Sequence, residues 1–213
     1  AFSQLNLSFT DAFFEAMSGI TTTGSTIIVN LDTAPPGLLL WRSLLQWLGG
    51  IGIIVMALAV MPLLRVGGMQ LFRMESSDLS EKALPRAAQV AAAITAIYVI
   101  LTMIWAALLW LVGMSGFDAV SHAMTTIATG GFSNYDASVG HFNSVAIDII
   151  VTVGMVIGSL PFLLYLMVLQ GKPSNLFRDS QVQLFLTLLG TIILLVAGWL
   201  WLENGEEPWQ ALR

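Results

Sequence analysis

Four stretches of this chain, residues 38–64, 87–112, 145–169 and 182–201, run for 20 residues or more with almost no charged side chain. About 20 mostly apolar residues make a helix long enough to cross a hydrocarbon core of about 30 Å. A water-facing surface cannot be assembled from the remainder. Charged residues make up only 10% of the chain and hydrophobic ones 56%, whereas a soluble domain carries about 25% charge. That balance excludes a soluble enzyme, a disordered chain and a collagenous or coiled-coil rod. The 8 basic and 13 acidic residues leave a formal charge of −5, which argues against a nucleic-acid binder. With no cysteine, disulfide frameworks and thiolate zinc sites are excluded as well. The expected fold is an all-α integral membrane protein with four transmembrane spans.

Two further apolar stretches, 9–21 and 117–128, are too short to cross. Segments of this length are core helices, re-entrant segments or signal-peptide cores. The last option fails for 9–21, which has no basic flank and carries Asp11 and Glu15. Basic residues orient the spans. Arg65, Arg73, Lys82 and Arg86 lie between the first two spans, and Lys172 and Arg178 between the last two, so both loops are expected in the cytoplasm. The opposite face receives Asp11, Glu15, Asp32, Asp118, Asp136, Asp148, Glu203, Glu206 and Glu207. Such an acidic face either raises the local cation concentration or simply solvates the outer loops.

The two short stretches are copies of one another. Residues 11–24 (DAFFEAMSGITTTG) align without gaps with residues 118–131 (DAVSHAMTTIATGG), and seven of fourteen positions are identical at a constant offset of 107. Each unit is a short helix, a polar glycine-containing turn and then a full span. Thr22-Thr23-Gly24-Ser25 and Thr129-Gly130-Gly131-Phe132 are poor helix continuations. Irregular backbone at membrane depth survives only where protein buries it or water lines it. A half-crossing helix is expected to leave its last carbonyls unpaired and to present the negative end of its dipole, which suits a cation. An extended loop beyond it can aim carbonyl oxygens at a dehydrated alkali ion. Glycine permits the required backbone and leaves no side chain in the hole. Asp11 and Asp118 stand where a carboxylate caps a helix start. The pattern predicts helix–pore loop–helix repeats with two re-entrant pore helices.

The TTTGST segment at 21–26, ATGGFS at 128–133, LQWLGGIGIIV at 45–55 and VGGMQL at 66–71 together resemble the Trk/Ktr/HKT superfamily of potassium transporters, most closely its bacterial TrkH type. That family sets four helix–pore loop–helix units around one pore, with one filter glycine per loop. The resemblance assigns those glycines to Gly24 and Gly131. It implies ion-binding backbone at Thr22, Thr23, Gly24, Ser25, Thr129, Gly130, Gly131 and Phe132. Glycine rather than serine at the filter position goes with potassium over sodium in the superfamily. The transported substrate is then potassium, held at filter carbonyls only, with no cofactor and no other metal. The implied location is the bacterial inner membrane. The chain would hold the pore loop and second helix of one unit (1–64), a cytoplasmic loop (65–86), a complete unit (87–170), a second cytoplasmic loop (171–181) and the first helix of a further unit (182–213). The ring would be completed by the remaining repeats of a longer polypeptide or by a second copy in a homodimer. A cytosolic nucleotide-binding regulatory ring is a further implied partner.

Gly154, Gly158, Ser159 and Pro161 interrupt the third span. Proline removes a helix hydrogen bond and clashes one turn back, and broken helices in transport proteins sit beside the permeation path. In the resembling family an intramembrane loop at this place closes the pore, which makes Gly158, Ser159 and Pro161 the expected gate; a kink that only packs is the alternative. Gly49, Gly50 and Gly52 permit close helix packing. Arg42 lies inside the first span and is expected to pair with an outer acid such as Asp32 or to snorkel. His122 is expected to face a neighbouring helix. Trp41, Trp110, Trp199, Trp201 and Trp209 fit interfacial belts. No nucleotide loop, catalytic triad, carboxylate pair or metal-ligand spacing is present, so no enzymatic activity is expected. Two other functions stay open from the residues alone. One is a non-conducting membrane scaffold. The other is a re-entrant-loop transporter of organic anions, which would want helix N-termini at the site.

Overall fold

The computed structural model describes residues 7–64 and 83–204, and every regular element among them is helical. The expected loop residues Arg65, Arg73 and Lys82, the VGGMQL run, the acids Glu206 and Glu207, and Trp209 lie outside the described residues.

The elements follow the apolar stretches closely. The two short ones become α1 (Phe9–Ile20) and α4 (Gly116–Ile127), each of 12 residues. At 1.5 Å per residue each is about 18 Å long, little more than half a bilayer core. Both begin alike. The hydroxyls of Ser8 and Ser115 accept from the N–H groups of Asp11 and Asp118, and donate to those residues' carboxylates at 2.7 Å. Two free helix donors are thereby satisfied locally.

The first span becomes α2 (Pro36–Leu64), opened by proline at its first position. The second becomes α3 (Ala83–Leu111). It starts four residues before the expected span, so Arg86 belongs to a helix rather than to the loop. Pro85 is compatible with that start, because the first helical turn needs no N–H from it. The third stretch is interrupted: α5 (Val145–Ser159) stops, and α6 restarts at Phe162–Leu169. The expected second cytoplasmic loop contains a short helix of its own, α7 (Ser174–Arg178). α8 (Ser180–Asn204) then begins where the Asp179 carboxylate accepts from the N–H groups of Gln181 and Val182. Among the described residues, Gln89–Leu111 and Ser180–Leu200 are long and apolar enough to cross a membrane, and the interrupted pair counts as a third if taken as one broken span.

The chain forms two compact units, Ala1–Ser159 and Leu160–Arg213. In the second, Leu160, Leu164 and Val182 pack with Tyr165, Met167, Leu176 and Phe185. In the first, α4 lies against α2, α3 and α5, while α1 lies against α2. Large apolar side chains remain uncovered on α3 (Ile100, Met103, Trp110, Leu111) and on α8 (Leu184, Leu188, Ile192, Leu194, Leu195). Helices apolar on every face suit hydrocarbon and not water. Glycines in α2 bring the two half-length helices close. A Cβ on Gly49 would run into the carbonyl of Ile20 at the end of α1, and one on Gly50 would meet the Tyr98 hydroxyl and Ala128 at the end of α4.

Candidate functional site

The two glycine turns repeat the same helix cap at the offset of 107. After α1, Thr22 N–H donates to the Gly19 carbonyl and Thr23 N–H to that of Ser18, both at 3.0 Å. After α4, Thr129 N–H donates to Thr126 at 3.0 Å and Gly130 N–H to Thr125 at 2.8 Å. This paired closure is a Schellman cap, whose C′ residue is left-handed and usually glycine. Here it is threonine in both copies: φ is +55° at Thr22 and +53° at Thr129. Two residues on, Gly24 and Gly131 return to positive φ, +79° and +81°. The last helix carbonyls, expected to be unpaired, are thus in part closed by the caps.

The two loops lie side by side. A Cβ on Gly24 would strike the carbonyl oxygen of Gly130, whereas one on Gly131 would meet open space. Gly130 is therefore a seam residue: its carbonyl accepts from Gln46 Nε2 at 2.8 Å, and Gln46 Oε1 accepts from Phe132 N–H at 3.1 Å. Phe132 is buried, its ring 4.1 Å beneath the Arg42 guanidinium. The carbonyl of Ser25 accepts from Ser18 Oγ at 2.6 Å.

Behind the loops lies a buried polar network whose pairings sequence reasoning missed. Arg42 does not pair with Asp32 and does not snorkel. Its Nε donates to Glu15 Oε1 at 2.8 Å, with the two side chains 2% and 0% exposed. Glu15, expected on the outer face, is fully enclosed because it has three donors: Arg42, the Thr26 hydroxyl, which reaches both oxygens, and the Ile27 N–H. His122, which replaces Glu15 in the second copy, faces its own loop rather than a neighbouring helix. Its Nε2 lies 3.0 Å from Ser133 Oγ and its Nδ1 2.8 Å from the Asp118 carbonyl. Ser133 aligns with Thr26, so each half-length helix holds the hydroxyl that follows its turn. That hydroxyl accepts in turn from a backbone N–H two residues later, Ile28 at 3.1 Å and Tyr135 at 3.2 Å. Asp118 is buried too, with Asn134 and the Tyr135 hydroxyl on its carboxylate. Burial and that carboxylate push the Tyr135 phenol above its ordinary range.

Asp32 is exposed. It accepts from Asp136 N–H at 3.4 Å and lies 3.7 Å from His141 Nδ1, while Asp136 accepts from Leu31 N–H. Among the described residues no group of three His, Asp or Glu side chains is placed to hold a metal ion. Gly158 packs on the end of α4, close to the carbonyls of Thr126 and Ile127 and to Thr129 Cγ2. The Ser159 hydroxyl donates to the Met155 carbonyl at 2.7 Å, and Pro161 precedes the first residue of α6.

Fold and site together define an all-helical membrane protein in which a half-length helix, a glycine turn and a longer helix recur. A family model described as TrkH, cation transport protein, matches residues 1–203; the chain belongs to that family. It is 50% identical over 194 residues to the Trk system potassium uptake protein TrkI of Halomonas elongata, covering 91% of this chain and 39% of the relative. It is 43% identical over 202 residues to the Trk system potassium uptake protein TrkH of Escherichia coli K12, covering 93% and 42%. Among solved structures it resembles that of the potassium transporter TrkH from Vibrio parahaemolyticus, with a TM-score of 0.86 and 39% identity over 97% of this chain and 42% of that one. The chain thus spans about two fifths of the length of these relatives.

Proposed function

We propose that this chain forms part of a potassium-translocating pore in the bacterial inner membrane, with four transmembrane spans, two re-entrant pore helices, and the connections within 65–86 and 171–181 on the cytoplasmic side. The filter is built from Thr22, Thr23, Gly24 and Ser25 and from Thr129, Gly130, Gly131 and Phe132. The observation that carries the reading is the twofold occurrence of one unusual backbone, left-handed at threonine and again at glycine, at the end of two half-length helices that meet side by side. Alternating the sign of φ turns neighbouring carbonyls toward one side, which is the arrangement a dehydrated cation needs. The carbonyls of Gly130 and Ser25 are already engaged by the scaffold, which leaves those of Thr22, Thr23, Gly24, Thr129, Gly131 and Phe132 to supply the ligands. Both short helices aim their C-terminal ends at the loops, which favours a cation over an organic anion.

The interruption between α5 and α6, at Gly158, Ser159 and Pro161, is the gate in this reading. The remaining pore units come from a longer polypeptide or a second copy, and a cytosolic nucleotide-binding ring regulates the assembly. The names of the relatives support potassium as the substrate. Gly131→Ser in the intact native polypeptide tests the filter. A Cβ there meets no neighbour within 4 Å while φ is +81°, so the change acts on the backbone and the ion path more than on packing. The expected result is a fall of about tenfold in rubidium-over-sodium flux ratio; an unchanged ratio rejects the assignment.

A further inference from the structure

Arg42 is 1% exposed and Gln46, one turn further along α2, is fully buried. Together they reach both glycine turns at once. From Arg42, Nε donates to Glu15 at 2.8 Å and Nη2 to the Thr26 hydroxyl at 3.1 Å, both in the first copy, while Nη1 donates to the Ser133 carbonyl of the second copy at 2.9 Å. Gln46 grips the Gly130 carbonyl and the Phe132 N–H of the second copy. One helix face therefore ties two loops whose sequence positions are about a hundred residues apart, and three separate guanidinium nitrogens are each committed to a different partner.

The second copy has no counterpart. α5, the helix that follows the second turn, carries no arginine, lysine or glutamine, and Glu15 corresponds to His122 at the offset of 107. His122 holds the hydroxyl of its own loop without any cation from the following helix. The local buttress, helix to hydroxyl, is common to both copies. The arginine is additional, and what it adds is the bond across to Ser133. A guanidinium provides this because its planar fork fixes several donors at once, which a single ammonium point cannot do. It is buried with its partners supplied rather than left bare.

We infer that Arg42 is a positioning residue for ion selection: a strut that fixes the gap between the two glycine turns, acting through the Glu15 carboxylate, the Thr26 hydroxyl and the Ser133 carbonyl. It touches no ion. This inference rests on the filter reading above. A carbonyl cage tells potassium from sodium by holding its oxygens at a set separation and number, so a seam held from behind by one rigid fork sets that separation on the side where the two loops abut.

Two variants test it in the intact native polypeptide reconstituted in vesicles, with Gly131→Ser alongside. Arg42→Lys keeps the positive charge beside Glu15 and removes the fork. The double substitution Glu15→His with Arg42→Ile gives the first copy the imidazole of the second and, as on α5, an apolar residue in place of the cation. It leaves no unpaired charge, and the introduced imidazole can hold the Thr26 hydroxyl as His122 holds that of Ser133. Both are expected to insert and to conduct, with rubidium-over-sodium flux ratios lowered about fivefold and total cation flux less affected. A purely structural role would reduce the amount of folded protein and leave the ratio of what remains unchanged. Unchanged ratios in both Arg42 variants, with Gly131→Ser lowering its own, overturn the strut and keep the filter. Unchanged ratios in all three overturn the filter reading and the strut with it. If Arg42→Lys does not accumulate, the charge-free double variant alone decides between the first two outcomes.

Discussion

At Thr22 and Thr129 the chain puts a β-branched residue where helix caps normally carry glycine. A non-glycine residue held left-handed costs about 1–3 kcal/mol, and its recurrence in both copies, within 2° of φ by the values of +55° and +53°, shows that the surrounding bonds over-determine it. Thr129→Gly should remove that strain. Glycine's greater freedom in the unfolded chain takes back about 0.5–1 kcal/mol, so the net expectation is a gain of about 1 kcal/mol, read as a higher midpoint in thermal unfolding. On the proposed filter reading the same change should lower potassium selectivity, because the turn is then no longer confined to one conformation. A lower midpoint instead would mean that the threonine stabilises the loop rather than straining it. Gly24 differs from Gly131 in a way the sequence repeat hides. The first glycine is hemmed in by Gly130 and the second is open, so Gly24→Ala should cost clearly more stability than Gly131→Ala although both share a positive φ.

At the scale of elements, α5 is fitted to α3 and α4 through its glycines. A Cβ on Gly154 would collide with Trp105 Nε1 and approach Thr126 Cγ2 at 2.7 Å, and Trp105 Nε1 already donates to the Ile150 carbonyl at 2.9 Å. Gly154→Ala should therefore destabilise by about 1–3 kcal/mol, as overpacking does, against a gain of up to about 1 kcal/mol in helix propensity. Unfolding midpoints of the two proteins decide the sign. The elements themselves were legible because membrane helices announce themselves by composition: each expected stretch lies within four residues of an observed helix end, except where proline divides the third. The repeat was legible for a related reason, since matched residues after matched helices fold alike. The contacts behind the loops were not. Glu15 reads as a solvated acid and Arg42 as a stray charge until folding brings together residues 27 apart, and nothing in periodicity marks Gln46 as the partner of a loop 84 residues away.

For the molecule as a whole, the proposed pore makes a demand that a membrane scaffold does not. Carbonyls aimed at a common point repel one another, and an ion between them relieves the repulsion in the folded state alone. Binding to the native state stabilises by mass action, about 2.7 kcal/mol when the ion is present at about a hundred times its dissociation constant. Exchanging potassium for sodium or choline at constant ionic strength should thus lower the unfolding midpoint of the intact native polypeptide in detergent by several degrees, with rubidium behaving as potassium. The effect should shrink in Gly131→Ser, which leaves the packing around Glu15, Arg42 and Gln46 untouched. It should persist in Gly154→Ala, whose damage lies between α5 and its neighbours α3 and α4 and not in the ion's ligands. A midpoint indifferent to all four cations would leave the two turns as structural caps and return the scaffold reading to first place. Stabilisation by potassium and sodium alike would keep a cation site and remove its selectivity.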